Sequence, residues 1–438
     1  MKQMHREISA IALPAIITNI TVPLLGLIDL TIAGHLGNET FIGAMSVSSM
    51  IFNLIYWNFG FLRMGTSGLT AQAFGGGDSE QMRKVLHQAG ALALVIAACI
   101  LLAQWPLQWI ALQVIHPTEA VADLARTYFY IVIWGVPAIL LMMAAKGWFL
   151  GMQNSRTPMA ISIAVNVINV ITSLIAVYVL KLGFIGIATG TLVAEYAGLM
   201  LTIYLLARHH TKPLQGISLR VILSGGSFGR FWRTNTSIFL RSVCMMLVTL
   251  TFVSVGARSG NTVLAVNALI MQLFVLFSYF MDGIAFAGEA LVGKYYGARN
   301  LASMRHCIKH LFVWGAVVTA LFTAFYGLLP RQIFSLLTDQ TDVVVAAMDY
   351  RWWCVAIPIT AVAAFVYDGV CIGLTDAKGM FFSVFFAAVT FFVIEFFPEI
   401  TGTTLFPFLQ GNNRLWLAFI TYLLLRSLIL HFRLTRKP

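Results

Sequence analysis

The chain has 438 residues, of which 59% are hydrophobic and only 10% are charged. Soluble domains carry about 25% charged residues, so this composition excludes an ordinary soluble domain and indicates that lipid surrounds the protein. The net charge of +11 raises the question of a nucleic-acid partner, which depends on where the basic residues lie.

Twelve apolar segments are each long enough to cross a bilayer, which takes about 20 apolar residues. The connections between them leave no room for a separate soluble domain. No small-residue cleavage site follows the first segment, so we expect it to remain in the protein as a helix. The predicted segments are 8–33, 40–66, 82–104, 123–146, 157–180, 184–207, 230–256, 262–288, 305–327, 345–371, 379–397 and 412–432.

Basic residues concentrate in alternate connections. Arg83 and Lys84 follow the second segment, and Arg305 and Lys309 follow the eighth. The positive-inside rule predicts that these connections and both termini face the cytosol of a bacterial inner or plasma membrane. The basic excess then sets the topology, and we expect no nucleic-acid partner.

The longest polar connection divides the chain near its midpoint. It predicts an N-terminal lobe at 1–207, a cytosolic linker at 208–229 and a C-terminal lobe at 230–438. A shift of 222 residues aligns Gly147 with Gly369 and Gly151 with Gly373 without gaps. Each half has an even number of segments, so both halves have the same orientation. We therefore predict an all-α integral membrane protein with twelve transmembrane helices in two pseudo-symmetric six-helix bundles.

No sequence motif indicates nucleotide or metal chemistry. The glycines at positions 75, 76 and 77 are not followed by the Lys-Ser/Thr pair of a P-loop, and no HExxH, GxSxG or kinase motif is present. The five cysteines form no CxxC pair. We therefore expect no enzyme activity, no cofactor and no bound metal, and a pump with this sequence would draw on an ion gradient.

Asp29 is an acid inside the first apolar segment. An ionisable group at a helix centre costs about 2.5–3.5 kcal/mol on insertion, so those that remain are paired, line water or carry function. The same segment contains Pro14 and Pro23, each of which removes a backbone donor and favours a bend. Because burial disfavours a charged carboxylate, Asp29 is a candidate proton or small-cation site. The alternative is an acid satisfied by groups from other segments.

Polar side chains on the fifth and sixth segments could join Asp29. Asn166 and Asn169 are three residues apart and share one helix face, Ser173 follows in the same segment, and Thr191 lies in the sixth. The amides could hydrogen-bond Asp29 or could simply join helices.

Three further acids lie in the C-terminal half. Asp282 and Glu289 are seven residues apart on one helix face, and the simplest interpretation of Glu289, near the cytosolic end, is a salt bridge. Asp368 aligns with Lys146 under the 222-residue shift. These opposite charges could pair near the central axis, or each could bind its own neighbours.

Several stretches distributed over nearly the whole chain follow the pattern of one known family. They are PLLGLIDLTIAGHLG, FGFLRMGTSGLTAQAFGGGD, NVINVITS, TLVAEY, DGIAFAGEALVGKYYGARN and YDGVCIGLTDA. Together they resemble the MATE (multidrug and toxic compound extrusion) family, and specifically its DinF-like branch. The resemblance implies a secondary antiporter that exports organic, often cationic or amphiphilic compounds against an inward flow of H⁺ or Na⁺.

The resemblance also implies roles for individual residues. Asp29 matches the proposed protonation site of the branch, and Pro23 is the candidate hinge of the first helix. Asn169 matches the Asn of an Asn-x-x-x-Asp pattern found in some relatives, but Ser173 stands at its acid position. Thr191 matches a further polar member of this N-lobe cluster. The absent second acid favours H⁺ over Na⁺ as the coupling ion, although Na⁺ stays an alternative.

Asp282, Glu289 and Asp368 match the usual C-lobe acids of the branch. We expect small organic substrates and membrane lipids as partners of a monomeric protein.

Two other functions remain open at this point. A lipid or lipid-linked oligosaccharide flippase of the same superfamily would need basic residues in a central cavity, for which Arg63, Lys146, Arg241 and Arg351 are available. An integral membrane enzyme would need a cluster of His, Asp or metal ligands near one interface, and the sequence offers none.

Overall fold

The computed structural model describes residues 2–209, 226–401 and 411–435, and every regular element in them is helical. Among these residues, 12 helical stretches are long and apolar enough to cross a membrane, which confirms the predicted number of spans. The predicted linker at 208–229 lies largely outside the described residues. The helices are α1 (Lys2–Gly34), α2 (Glu39–Asn58), α3 (Phe61–Gly75), α4 (Ser79–Leu102), α5 (Gln104–Ile115), α6 (Glu119–Val132), α7 (Val136–Gly151), α8 (Arg156–Leu174), α9 (Phe184–His209), α10 (Gly226–Arg258), α11 (Asn261–Gly297), α12 (Leu301–Leu328), α13 (Pro330–Leu337), α14 (Thr341–Asp349), α15 (Arg351–Gly373), α16 (Ala377–Thr401) and α17 (Asn412–Thr435).

The second span consists of two helices, α2 and α3, and it runs nine residues beyond the predicted end at 66, to Gly75. At the junction Phe59 donates to the carbonyl of Tyr56 and Gly60 to that of Trp57, so the helix tightens for one turn. The polar residues after 66 ended the apolar pattern, but they did not end the helix, because helical hydrogen bonds do not depend on apolar side chains.

The predicted start of the tenth span at 345 is wrong. α15 begins at Arg351, and the residues before it form the separate short helix α14. At Tyr350 the chain turns with backbone bonds from Tyr350 to Ala347 and from Trp353 to Tyr350. Charged residues on both sides of Tyr350 accompany this interruption. The short helices α5 and α13 were also missed, because each is too short to register as a span.

The described chain forms two compact units, Leu13–Trp232 and Met1–Ala12 with Arg233–Pro438. The beginning of α1 is bound within the second of these. Trp314 donates its indole N–H to Nδ1 of His5 at 3.1 Å, and the hydroxyl of Tyr295 donates to Glu7 at 2.7 Å. Helix α1 therefore contributes to both units, whereas the predicted N-terminal lobe, 1–207, included its first residues.

Glycines allow two helices of the first unit to cross in close contact. A Cβ at Gly147 would overlap the backbone of Arg63, and one at Gly151 would lie 2.6 Å from the carbonyl oxygen of Ser67 and 2.9 Å from the nitrogen of Ala71. Only glycine permits this approach of α7 to α3. The crossing fixes the fourth span against the second.

The same crossing occurs 222 residues later in the other unit. A Cβ at Gly369 would overlap the backbone of Ala285, and one at Gly373 would lie 3.0 Å from the Glu289 carbonyl oxygen and 2.8 Å from the Gly293 nitrogen. Each contacted residue is itself displaced by 222 positions from its counterpart. The predicted repeat is thus confirmed by backbone contacts. Each of the two six-helix bundles has the same helix crossing at equivalent positions.

Candidate functional site

Asp29 lies near the end of α1, six residues after Pro23, in a helix that continues through both of its prolines. Its side chain is only 4% exposed. The Oδ1 atom is buried and accepts no hydrogen bond within residues 2–209, 226–401 and 411–435. A buried carboxylate oxygen without a donor is unfavourable as an anion, so this position is stabilised by gaining a proton or a cation.

The two predicted amides of α8 bind other groups than Asp29. The side-chain amide of Asn166 donates to the backbone carbonyl of Thr21 at 3.0 Å, which ties α8 to α1 just before Pro23. The amide of Asn169 donates to the Thr191 hydroxyl at 3.0 Å, which ties α8 to α9. The amides were predicted either to bond Asp29 or to join helices, and in the structure both of them join helices.

Ser173 lies where α8 and α9 are closest. It is fully buried, and its Oγ has no hydrogen-bond partner among the described residues. A Cβ at Gly190 would overlap this hydroxyl. Immediately afterwards α8 widens into a π-helix at Ile175–Val179, an irregularity that is common near functional sites. The tight crossing leaves little space for a longer side chain at position 173.

Tyr128 on α6 connects these groups. It is 4% exposed, it lies within hydrogen-bonding range of the Thr191 side chain, and it interacts electrostatically with Asp29 and Glu195. The sequence patterns described above did not single out Tyr128. The signal that could have found it is a tyrosine hydroxyl in an apolar segment, which needs a polar partner when buried.

Polar side chains on α1, α8 and α9 leave four buried atoms unsatisfied among the described residues. Asp29 Oδ1, Asn169 Oδ1, Ser173 Oγ and Glu195 Oε2 are buried atoms that have no hydrogen-bond partner in the described chain. A buried polar group left without a partner costs about 1–3 kcal/mol. Protonation of a carboxylate converts an acceptor into a donor, so this arrangement can respond to a proton.

Asp368 in the other unit has entirely different surroundings. Its Oδ2 atom accepts from the guanidinium of Arg426 at 2.7 Å and forms a second ion pair with Arg241. All three side chains are buried, and Arg426 also reaches the hydroxyl of Tyr422. The sequence suggested Arg241 only as a cavity residue and gave no sign of Arg426, because no spacing pattern relates these positions to Asp368.

The other two C-lobe acids lie on α11. Glu289 is buried where α11 crosses α15, with its backbone carbonyl against Gly373. Asp282 is half-buried and lies within electrostatic range of Tyr279. The structure does not bring either acid into the Asp368 ion pairs.

Lys146 and Arg351 also bind within their own units. The ammonium of Lys146 donates to the hydroxyl of Ser162 at 2.9 Å. Arg351 donates to the carbonyl of Met348 at 3.3 Å and lies over the ring of Trp352. Of the two alternatives for Lys146 and Asp368, the structure shows the second, in which each binds its own neighbours.

Comparison with known proteins gives one family match in each half of the chain. The MatE family model matches residues 14–175 and 237–397. The chain belongs to the MATE family. It is 36% identical over 422 residues to the DNA damage-inducible protein F of Escherichia coli (strain K12), and this match covers 96% of the chain and 90% of that relative. The DinF-like branch predicted from the sequence is therefore confirmed.

Other MATE proteins extend the comparison to structure. The multidrug resistance protein NorM of Vibrio vulnificus is 24% identical over 405 residues, which covers 88% of this chain and 86% of NorM. The solved structure described as MATE in the bent conformation superposes with a TM-score of 0.84 at 18% identity, covering 99% of this chain and 96% of the other. The fold is the MATE fold, and the chain is a multi-pass membrane transporter.

Proposed function

We propose that this MATE protein is a proton-coupled antiporter that exports organic, often cationic or amphiphilic compounds. Family membership supports transport, and similarity to the NorM multidrug resistance protein supports this substrate class. The proposal includes a monomer in a bacterial inner or plasma membrane, surrounded by lipid, with both termini in the cytosol.

The observation that carries the proposal is the state of Asp29. This acid is buried, its Oδ1 has no donor within the described residues, and it interacts electrostatically with Tyr128. A permanently charged carboxylate in such a place is costly. A carboxylate that gains and loses a proton during each cycle carries this cost only while it is deprotonated.

The residue at position 173 supports H⁺ over Na⁺. A sodium ion needs several oxygen ligands and space between them. Ser173 contributes only a hydroxyl beside Asn169, and its contact with Gly190 leaves little room for an ion. A proton needs a single oxygen atom, which Asp29 supplies.

Coupling follows from reciprocal binding. A proton that reaches Asp29 from outside makes the side chain a donor, changes its hydrogen bonds to neighbouring acceptors, and alters α1 beside the Pro23 hinge. If the protonated form binds substrate less tightly, the substrate leaves outward, and substrate binding in turn releases the proton. Asn166 transmits this change, because it holds α8 to α1 at Thr21.

The flippase alternative receives no support from the basic residues on which it depended. Lys146 binds Ser162, Arg241 binds Asp368, and Arg351 binds Met348 and Trp352. Three of the four candidates are therefore engaged by near neighbours in their own units.

Transport in everted membrane vesicles tests the proposal. We expect a lumen-acidic pH gradient to drive ethidium into vesicles that contain the wild-type protein, and an equal sodium gradient, with sodium higher in the lumen, to drive none. Asp29→Asn is expected to reduce the pH-driven uptake strongly. Asp339→Asn is the matched control, because Asp339 is exposed in the connection between α13 and α14.

Two results would count against the proposal. Full pH-driven uptake by the Asp29→Asn protein would remove Asp29 from the coupling mechanism. Uptake driven by sodium alone would replace the proton as the coupling ion.

A further inference from the structure

Glu195 is a second buried acid in the N-terminal unit. It lies on α9 one turn after Thr191 and is 6% exposed. Its Oε2 atom is buried and accepts no hydrogen bond in the described part of the chain. Glu195 therefore has the same type of surroundings as Asp29.

The carboxylate of Glu195 lies against a position of the fourth span that has no side chain. Between α6 and α7 the chain forms a short 3₁₀ turn at Ile133–Gly135. A Cβ at Gly135 would overlap the Oε2 atom of Glu195. No residue other than glycine fits at position 135 while the carboxylate keeps this position, so the backbone of the span forms a cradle for it.

Two tyrosines link Glu195 to the polar cluster. Tyr128 interacts electrostatically with both Asp29 and Glu195, and Tyr56 interacts with Glu195 and Tyr128. The Tyr56 hydroxyl is buried and has no hydrogen-bond partner within the described ranges. A tyrosine hydroxyl both donates and accepts, so two tyrosines in electrostatic range suit an acid that changes its protonation state.

A buried acid that stays permanently charged is ordinarily paired with a basic group. Glu395 shows that arrangement, because it is buried and pairs with Arg414 at 3.1 Å. Lys146, the buried lysine of the same unit as Glu195, donates to Ser162 instead. For Glu195 the structure gives two tyrosines and a glycine cradle, and no ion pair among the described residues.

We propose that Glu195 is a second proton-binding carboxylate of the N-terminal unit and that it exchanges its proton in the same cycle as Asp29. A proton binds to Oε2 when the site receives protons from outside, and the same O–H bond breaks when substrate binds from the cytosol. Glu195 thus supplies, from α9, the second acid that Ser173 does not supply from α8. This inference rests on the proposed proton-coupled transport.

The number of protons displaced by substrate tests the inference. It equals the slope of the logarithm of the ethidium dissociation constant against pH, measured by fluorescence on the full-length protein in lipid nanodiscs. We expect the maximum slope to approach two for the wild type, so that affinity falls up to about 100-fold for each unit of acidification. Glu195→Gln and Asp29→Asn are each expected to reduce the slope to one. Glu119→Gln, which changes an exposed acid at the start of α6, is expected to keep it at two.

The outcomes separate this inference from the function on which it rests. A wild-type slope of one, or a Glu195→Gln slope equal to the wild-type slope, would overturn the role of Glu195 even if Asp29→Asn lowers the slope. An unchanged slope in Asp29→Asn would overturn the proposed function itself. The wild-type slope needs no variant, so the test remains decisive if Glu195→Gln does not fold.

Discussion

Asp29 and Asp368 are both buried aspartates on membrane-spanning helices, and they differ in what surrounds them. Asp368 lies between the guanidinium groups of Arg241 and Arg426. Asp29 forms no ion pair within the described chain, its Oδ1 has no hydrogen-bond partner there, and it interacts electrostatically with Tyr128. Neutralisation by two arginines fixes the charge of one acid, whereas the other can be neutralised only by a mobile ion. This difference supports the proposal that Asp29, and not Asp368, exchanges protons.

The largest effect on stability is expected for Asp368→Asn. This change leaves two buried guanidinium groups without their carboxylate, and breaking a buried ion pair in this way costs about 3–5 kcal/mol. Asp29→Asn removes an acid that has no basic partner, so it should leave stability unchanged or slightly raised. Unfolding of the purified proteins in detergent measures both. Equal destabilisation by the two changes would remove the distinction drawn between these acids.

Gly135→Ala is expected to have the next largest effect. The added methyl group overlaps the Glu195 carboxylate, and overpacking of this kind costs about 1–3 kcal/mol. Combining it with Glu195→Ala removes the overlapping atoms and should recover most of the loss. A double-mutant cycle of unfolding free energies measures this coupling. Additive effects would show that the two residues do not contact each other.

Asn169→Ala should have a smaller effect. It removes the hydrogen bond to Thr191, and such a bond contributes about 0.5–1.5 kcal/mol. We also expect slower ethidium transport, because the position of Thr191 beside Tyr128 is then less fixed. The unfolding free energy measures the first effect, and the rate of ethidium uptake into vesicles made from the same preparation measures the second. A stable protein with wild-type uptake would show that Asn169 has no part in the cluster.

Ser173→Ala should have the smallest effect. The Ser173 hydroxyl has no hydrogen-bond partner in the described structure, so its removal should change the unfolding free energy by less than about 0.5 kcal/mol. Proton-driven uptake should persist. Loss of uptake with unchanged stability would place Ser173 among the ion ligands and would weaken the preference for H⁺ over Na⁺.

Sequence patterns predicted the number of spans, the 222-residue repeat and an acid buried in the first span at Asp29, because each depends on hydropathy or on spacing along the chain. They did not predict the partners of Asp368, which lie on two other helices, 127 and 58 residues away. The cradle at Gly135 and the position of Tyr128 likewise arise from helix packing. A single sequence indicates which polar residues lie within membrane-spanning segments, but the partner of each depends on how the helices face one another.

Infrared difference spectroscopy of substrate binding tests the central claim most directly, because it detects the protonated carboxyl group itself. Adding ethidium to the wild-type protein is predicted to remove a carboxylic acid C=O band and to create carboxylate absorption. Part of this change should be absent in Asp29→Asn and present in Asp339→Asn. A difference spectrum of Asp29→Asn identical to that of the wild type would contradict proton exchange at Asp29.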